Sequence, residues 1–224
     1  MDSPYFEHLI QPAATKIVLR ILAGLGGLPR ESGGKTELET AFTPNLDQLA
    51  WQSSCGLTIP VAPGITPGSG PGHLAIFGYD PIQNEIGRGA LEALGVDFEL
   101  GPEDVAARGN FCTLDENGLI SDRRAGRLPT EDSRKLLELL SAIRVEGVEF
   151  FLKPVKEHRF AFVMRGPGLG DQLTETDPLR VGEAPRSVQA AGAGSEKAAI
   201  AVNHFLEKAR ELLATPAGTE HELG

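Results

Sequence analysis

Residues 61–81 read Val61-Ala-Pro-Gly-Ile-Thr-Pro-Gly-Ser-Gly-Pro-Gly-His-Leu-Ala-Ile-Phe-Gly-Tyr-Asp-Pro81, and the rest of the chain is read outward from them. Three prolines and four glycines crowd into Pro63 to Gly72, and the composition then switches to the apolar run His73-Leu-Ala-Ile-Phe. Just upstream, Gly56-Leu-Thr-Ile-Pro-Val reads as a short strand. A strand, a Gly/Pro loop and a helix start put Ser69 close to a helix N-terminus, where unpaired N–H groups and the helix dipole favour anions. Such a serine either caps the helix or acts as a nucleophile whose phosphoester the same dipole stabilises, and the spacing leaves both open. His73 reads as a helix cap or a support for the loop rather than as a metal ligand.

Upstream, Lys16-Ile-Val-Leu-Arg-Ile-Leu is the nearly continuous apolar run expected of a buried parallel strand. It ends in Ala23-Gly-Leu-Gly-Gly, at the end of the strand where open α/β sheets bind ligands. Gly24, Gly26 and Gly27 do not make a dinucleotide fingerprint, and Lys35 in Gly-Gly-Lys-Thr follows no strand, so it is not a P-loop lysine. Thr43-Pro-Asn-Leu-Asp-Gln-Leu-Ala-Trp has an N-cap and a first-position proline, and it predicts a surface helix packed on the sheet. Downstream, Arg88 to Leu94 is a short helix closed by Gly95. Alternating runs at Val96–Leu100 and Gly109–Leu114 predict strands, with Asp115-Glu-Asn-Gly118 as a turn. Thr130–Ile143, with Thr130 as N-cap, and Ser195–Ala214 predict amphipathic helices, and Val148–Pro154 and Arg159–Met164 an antiparallel pair.

Of 224 residues, 41% are apolar and 23% charged, an ordinary balance for a globular chain. The net charge of −10 argues against a nucleic-acid or anionic-membrane partner, while leaving room for an anionic substrate held by a local arginine cluster. Cys55 and Cys112 fit no metal or redox spacing and read as free, buried thiols in a reducing cytoplasm. Met1–Pro12 does not have the pattern of a signal peptide, and no run is long enough to span a membrane, so the expected location is cytoplasmic. The composition divides into an α/β half to about Gly95 and an α+β half to about Ala214, followed by a tail, residues 215–224, expected to be disordered.

Several motifs occur together and in order: Gly33-Gly-Lys-Thr-Glu-Leu-Glu, Thr43-Pro-Asn-Leu-Asp, the Pro63–Pro81 stretch, Gly87-Arg-Gly-Ala-Leu-Glu-Ala-Leu-Gly, Arg108-Gly-Asn-Phe-Cys-Thr-Leu-Asp, Ser121-Asp-Arg-Arg-Ala-Gly-Arg and Glu157-His-Arg-Phe. Together they resemble the archaeal-type, cofactor-independent phosphoglycerate mutases of the alkaline-phosphatase-like superfamily. The resemblance implies an α/β fold, with an incomplete parallel-sheet core over residues 1–95 and an inserted α+β cap over residues 96–214. It also implies that 3- and 2-phosphoglycerate are interconverted through a phosphoserine at Ser69. Two divalent metal ions (Mn, Mg, Co or Zn) would activate the serine and stabilise the attacking and leaving oxygens.

Within the same resemblance, Arg123, Arg124, Arg127, His158, Arg159 and Arg165 become candidates for the substrate's phosphate and carboxylate, with Arg88 and Arg108 as further contributors. From the residues alone, Arg123, Arg124 and Arg127 are equally well a solvated hairpin end. The chain departs from the family at two points. Ala23 stands where the family has a metal-binding aspartate, and the Asp- and His-rich segment supplying the family's remaining ligands has no counterpart among the five histidines, His8, His73, His158, His204 and His221. Ser69 alone cannot hold two cations. The expectation is therefore the first half of the enzyme, inactive alone and self-associating through an open sheet. The alternatives are a phosphatase or phosphonate-cleaving relative in the same superfamily, and a non-enzymatic remnant.

Overall fold

The computed structural model describes residues 6–22 and 25–214. Its helices are α1 (Phe6–Leu9), α2 (Glu37–Thr40), α3 (Pro44–Trp51), α4 (Ser69–Ile76), α5 (Arg88–Leu94), α6 (Thr130–Leu140) and α7 (Glu196–Leu213). The strands are β1 (Asp104–Asn110), β2 (Thr113–Leu114), β3 (Ile120–Asp122), β4 (Glu149–Lys156) and β5 (Arg159–Arg165). β1, β5 and β4 make an antiparallel sheet in that order, and β2 pairs with β3 in a small hairpin.

The central strand, Arg159-Phe-Ala-Phe-Val-Met-Arg165, is apolar at every interior position because both its faces are covered. Phe160, Phe162 and Met164 belong to the larger core with Leu137, Leu140, Ala198, Ala201 and Phe205 of α6 and α7. Phe162 and Phe205 meet edge-on at 4.9 Å between ring centroids, and Phe150 lies 5.0 Å from Phe205, a geometry that adds to their area burial. On the opposite face, the smaller Ala161 and Val163 meet Ala93 of α5, with Val96, Phe98 and Phe151 packed around them. α5 comes close to the sheet because residue 89 is glycine: a methyl there would overlap the Ala106 carbonyl. β4 is an edge strand, which is why it tolerates Pro154 and an irregular register between Pro154 and Lys156. At one end of the sheet the Asp104 carboxylate, with 1% of its side chain exposed, receives Arg165 Nε and Nη2, each at 2.7 Å. Arg165 also lies over the Phe151 ring, 4.9 Å from its centroid.

The helices and the hairpin of the second half form close to where the sequence puts them, and the turn at residues 115–118 closes with Gly118 at φ 75°. The N-cap of α6 is Pro129, not Thr130, whose Oγ1 instead accepts the Glu157 N–H at 3.0 Å.

The first half departs from expectation. Residues 16–22 and 56–61 are not strands, and among the described residues both sheets are antiparallel. An apolar run forms a parallel strand only when neighbours satisfy its backbone on both sides and cover both faces. Here Ile17 is 98% and Leu57 103% exposed, with no ladder beside them. α3 forms with Pro44 at its first position but buries no residue, so it does not pack on a sheet. Residues 96–100 are turn and coil rather than strand, although Phe98 and Leu100 still pack toward Ala161 and Val163. Both cysteines are free, as expected, but exposed rather than buried. Ala23 and the tail at 215–224 lie outside the described residues.

The contact between α5 and β1 can be tested directly. Gly89→Ala should destabilise the chain by about 1–3 kcal/mol, because the added methyl meets backbone, which cannot swing aside. A thermal or urea melt of the variant reads this out, and an unchanged or raised midpoint would show that the helix does not press on the strand there.

Candidate functional site

Ser69 is the first residue of α4, and the N-cap position is taken by Gly68, at φ −71° and ψ 173°. The serine is exposed and makes no capping hydrogen bond, so its hydroxyl is open to solvent chemistry. His73, one turn on, places Nδ1 2.6 Å from the Ser69 carbonyl oxygen, so it supports the helix start as a donor in the Nδ1–H tautomer. Gly70 lets this loop lie against α5, since a Cβ there would stand 2.7 Å from Leu91 Cδ1. A Cβ at position 68 would make only ordinary contact, 4.0 Å from Arg88 Nη2. Arg88 therefore borders the serine loop from the first position of α5.

A second set of polar residues gathers where β4 turns into β5. Glu157, in the turn, has φ 54°, a left-handed conformation uncommon outside glycine, and it is held there by the Thr130 hydroxyl. His158 follows, 7% exposed, and its carbonyl accepts the Phe111 N–H at 2.8 Å. Its Nδ1 has no hydrogen-bond partner, and the nearest charged oxygen, Glu157 Oε2, is 3.9 Å away. Arg159 Nε is likewise buried without a partner. Beside them runs the turn after β3, in which three consecutive residues, Ala125, Gly126 and Arg127, have φ of 44°, 61° and 57°. Asp122 closes that turn: its Oδ1 accepts the Arg124 N–H at 2.8 Å and its Oδ2 the Gly126 N–H at 2.7 Å.

The electrostatics tie these residues into one group. Burial, and then the positive charge of Arg159, hold His158 below the ordinary histidine value. Glu157 opposes that shift, while Arg124 and Arg127 add to it. The two N–H groups that Asp122 accepts, Gly126 first, hold its carboxyl below the usual range. The result is a neutral, buried imidazole among three arginines, with two buried donor-capable nitrogens unused. Native proteins pair most such groups, so two unpaired nitrogens on consecutive residues ask for an explanation.

The other expected residues lie apart from this group or are already engaged. Arg123 forms a two-point pair with Asp177, at 3.0 and 2.6 Å, which pins the strand–turn junction to the loop at 177–179. Arg165 is at the opposite end of β5 from Arg159 and is taken up by Asp104. Arg108 reaches Glu92 of α5 at 4.0 Å. Among the described residues no three His, Cys, Asp or Glu side chains converge, so they do not fit a divalent-cation cage. Sequence reading missed the carboxylates that engage these arginines: Asp104 and Asp177 are 61 and 54 residues from their partners, beyond any local pattern. It also missed the Thr36/Glu39 capping box of α2, which Thr-x-x-Glu does signal, and that cap accounts for the motif containing Lys35.

A family profile described as 2,3-bisphosphoglycerate-independent phosphoglycerate mutase matches residues 50–217. The chain is 52% identical over 212 residues to a probable 2,3-bisphosphoglycerate-independent phosphoglycerate mutase of Thermus thermophilus, an alignment covering 94% of this chain and 52% of that protein. Among solved structures it resembles the cofactor-independent phosphoglycerate mutase from Thermoplasma acidophilum, at 35% identity and a TM-score of 0.57, over 66% of this chain and 40% of that one. It also resembles a protein from Pyrococcus horikoshii, at 32% identity and a TM-score of 0.59, over 88% of this chain and 44% of that one. The chain thus spans about half the length of the curated relatives it matches. With the profile covering residues 50–217 and the serine loop, the basic turn and the His158–Arg159 corner all inside it, the chain belongs to the family of 2,3-bisphosphoglycerate-independent phosphoglycerate mutases.

Proposed function

We propose that this chain serves the interconversion of 3- and 2-phosphoglycerate, with Ser69 carrying the phosphoryl group and the corner at His158, Arg159, Arg124 and Arg127 holding the anionic substrate. One observation carries the reading: in a member of this family, His158 Nδ1 and Arg159 Nε are buried without partners beside two further arginines. In the proposed step the Ser69 oxygen forms a bond to phosphorus as the bond to the C3 oxygen of glycerate breaks. The glycerate takes up the proton that the serine gives up, and the reverse step at the C2 oxygen returns the phosphoryl group. Arginine suits the holding role because its planar fork meets carboxylate and phosphate oxygens two at a time. A neutral His158 donates a hydrogen bond from Nδ1 to the bound anion. Arg123 borders the corner, and Arg165 fits the reading least, because Asp104 already engages it.

The same proposal takes residues 1–95 as part of an alkaline-phosphatase-like core, residues 96–214 as its inserted cap, and the cytoplasm as the setting. α5 would then be the joint between the two, since it touches the Ser69 loop through Leu91 and the sheet through Gly89. The paired divalent cations of the reading belong to the full-length proteins, whose remaining half this chain does not span.

Two outcomes test the proposal. The purified chain should show no interconversion of the two phosphoglycerates. A chimera that continues residue 214 with the part of the Thermus relative not spanned here, and carries Ala23→Asp, should interconvert them, and Ser69→Ala should lower that rate by roughly 10³-fold or more. Turnover by the unaltered chain would overturn the expectation that it is inactive alone, and a chimera indifferent to Ser69→Ala would refute Ser69 as the carrier of the phosphoryl group.

The histidine gives a pH test. Because its folded value is lowered, the unfolded chain takes up the proton first as pH falls below 6.5. Stability from His158 is therefore complete above that pH and declines as pH falls through the folded value. Inorganic phosphate should raise the His158 titration midpoint, followed by its ring proton resonances, since an anion favours the imidazolium. A midpoint at or above 6.5 without phosphate, or one that phosphate leaves in place, would contradict the assignment.

A further inference from the structure

The corner that the proposed function takes as the anion site has a support outside the binding set. Arg124 and Arg127 project from a turn that an L-amino-acid chain adopts reluctantly, with Ala125 at φ 44° and Arg127 at φ 57° on either side of Gly126. Left-handed backbone at non-glycine residues persists only where surrounding contacts over-determine it. Apolar packing holds part of this turn, since Ala125 and Leu128 lie against the larger core, but Arg124, Gly126 and Arg127 are exposed. The polar backbone of the exposed residues is tied by the Asp122 carboxylate, which spends one oxygen on the Arg124 N–H and the other on the Gly126 N–H, at 2.8 and 2.7 Å. The Arg127 N–H then closes onto the Arg124 carbonyl at 2.8 Å. On the far side, Arg123 is tied to Asp177, so the turn is anchored at its entrance as well. Both Asp122 oxygens are engaged by the turn, yet its negative charge stays within electrostatic reach of His158, so loss of that charge alone would favour an anion rather than weaken its binding.

We infer that Asp122 is a positioning residue: its two backbone hydrogen bonds hold residues 124–127 in the left-handed turn that presents Arg124 and Arg127 to an anion bound at His158 and Arg159. Without them the turn relaxes toward ordinary backbone, the two arginines spread over many conformers, and each binding event must order them again. The loss therefore falls mainly on anion affinity, because the contacts that join the turn to the core run through Ala125 and Leu128 and not through Asp122. This inference rests on the proposed function, because it presumes that the corner binds an anion.

The test uses the 224-residue chain and inorganic phosphate as the probe, with binding followed by the His158 ring resonances. Asp122→Ala removes both acceptors and should weaken phosphate binding roughly tenfold. Asp122→Asn keeps one acceptor oxygen and should fall between wild type and Asp122→Ala. In both variants the thermal midpoint should stay close to that of wild type, and at saturating phosphate the His158 resonances should reach their wild-type bound positions. Arg159→Ala is the control for the site itself. If Arg159→Ala leaves phosphate affinity unchanged, the anion-site reading fails and this inference fails with it. If Arg159→Ala weakens binding while Asp122→Ala binds as wild type does, the inference alone is overturned. Should Asp122→Ala lose its fold, Asp122→Asn decides: weakened binding at an unchanged melting midpoint supports positioning, and wild-type binding overturns it.

Discussion

The packed core of this chain is arranged around the pairing of β5 with a neighbour on each side. A strand hydrogen-bonded along both edges and covered on both faces leaves little freedom to whatever lies at its two ends. Large side chains at Phe160, Phe162 and Met164 set the distance to α6 and α7, and small ones at Ala161 and Val163, with Gly89 opposite, let α5 come close. The ends of the strand are then fixed points. At one of them Arg165 is closed off by Asp104; at the other, His158 and Arg159 emerge with buried nitrogens unanswered.

The contrast between those ends separates structural arginine from arginine held in readiness. Arg165 and Arg123 each meet a carboxylate in two-point geometry, so their charge is neutralised within the fold. Around His158 the balance is reversed: Arg159, Arg124 and Arg127 all push against protonation of a buried ring, and Glu157 pulls the other way, with the Asp122 carboxylate also within electrostatic reach. Proteins tolerate that kind of local excess, along with left-handed backbone at Glu157, Ala125 and Arg127, mainly where a ligand later relieves it.

The second half of the chain was legible because its own residues complete its layers. The period of α7 marks Ala198, Phe205 and Ala209 as inward-facing, and the structure buries all three. The two apolar runs on either side of residues 155–158 give the hairpin, and the Ser69 helix starts at the serine that the Gly/Pro loop pointed to. The basic turn and the His158–Arg159 corner were visible only as residue types; that Arg124 and Arg127 join the corner while Arg165 does not depends on pairings more than fifty residues apart in sequence, such as Arg123 with Asp177 and Arg165 with Asp104. The first half misled for the opposite reason. Ile17, Val18, Leu57 and Ile59 have the composition of buried strands, yet strand formation depends on neighbours, and composition records the environment a segment is suited to rather than the one it has here.

Those bare side chains have a consequence in solution thermodynamics. Trp51, Phe42 and Leu28, with the four just named, still hold a dehydration free energy that has not been released. Order in that region is thereby linked to mass action: any surface that covers these residues stabilises the covered state in proportion to the logarithm of its free concentration. For this half of the molecule, then, the melting temperature is not a constant of the polypeptide, but a quantity that moves with what else is dissolved beside it.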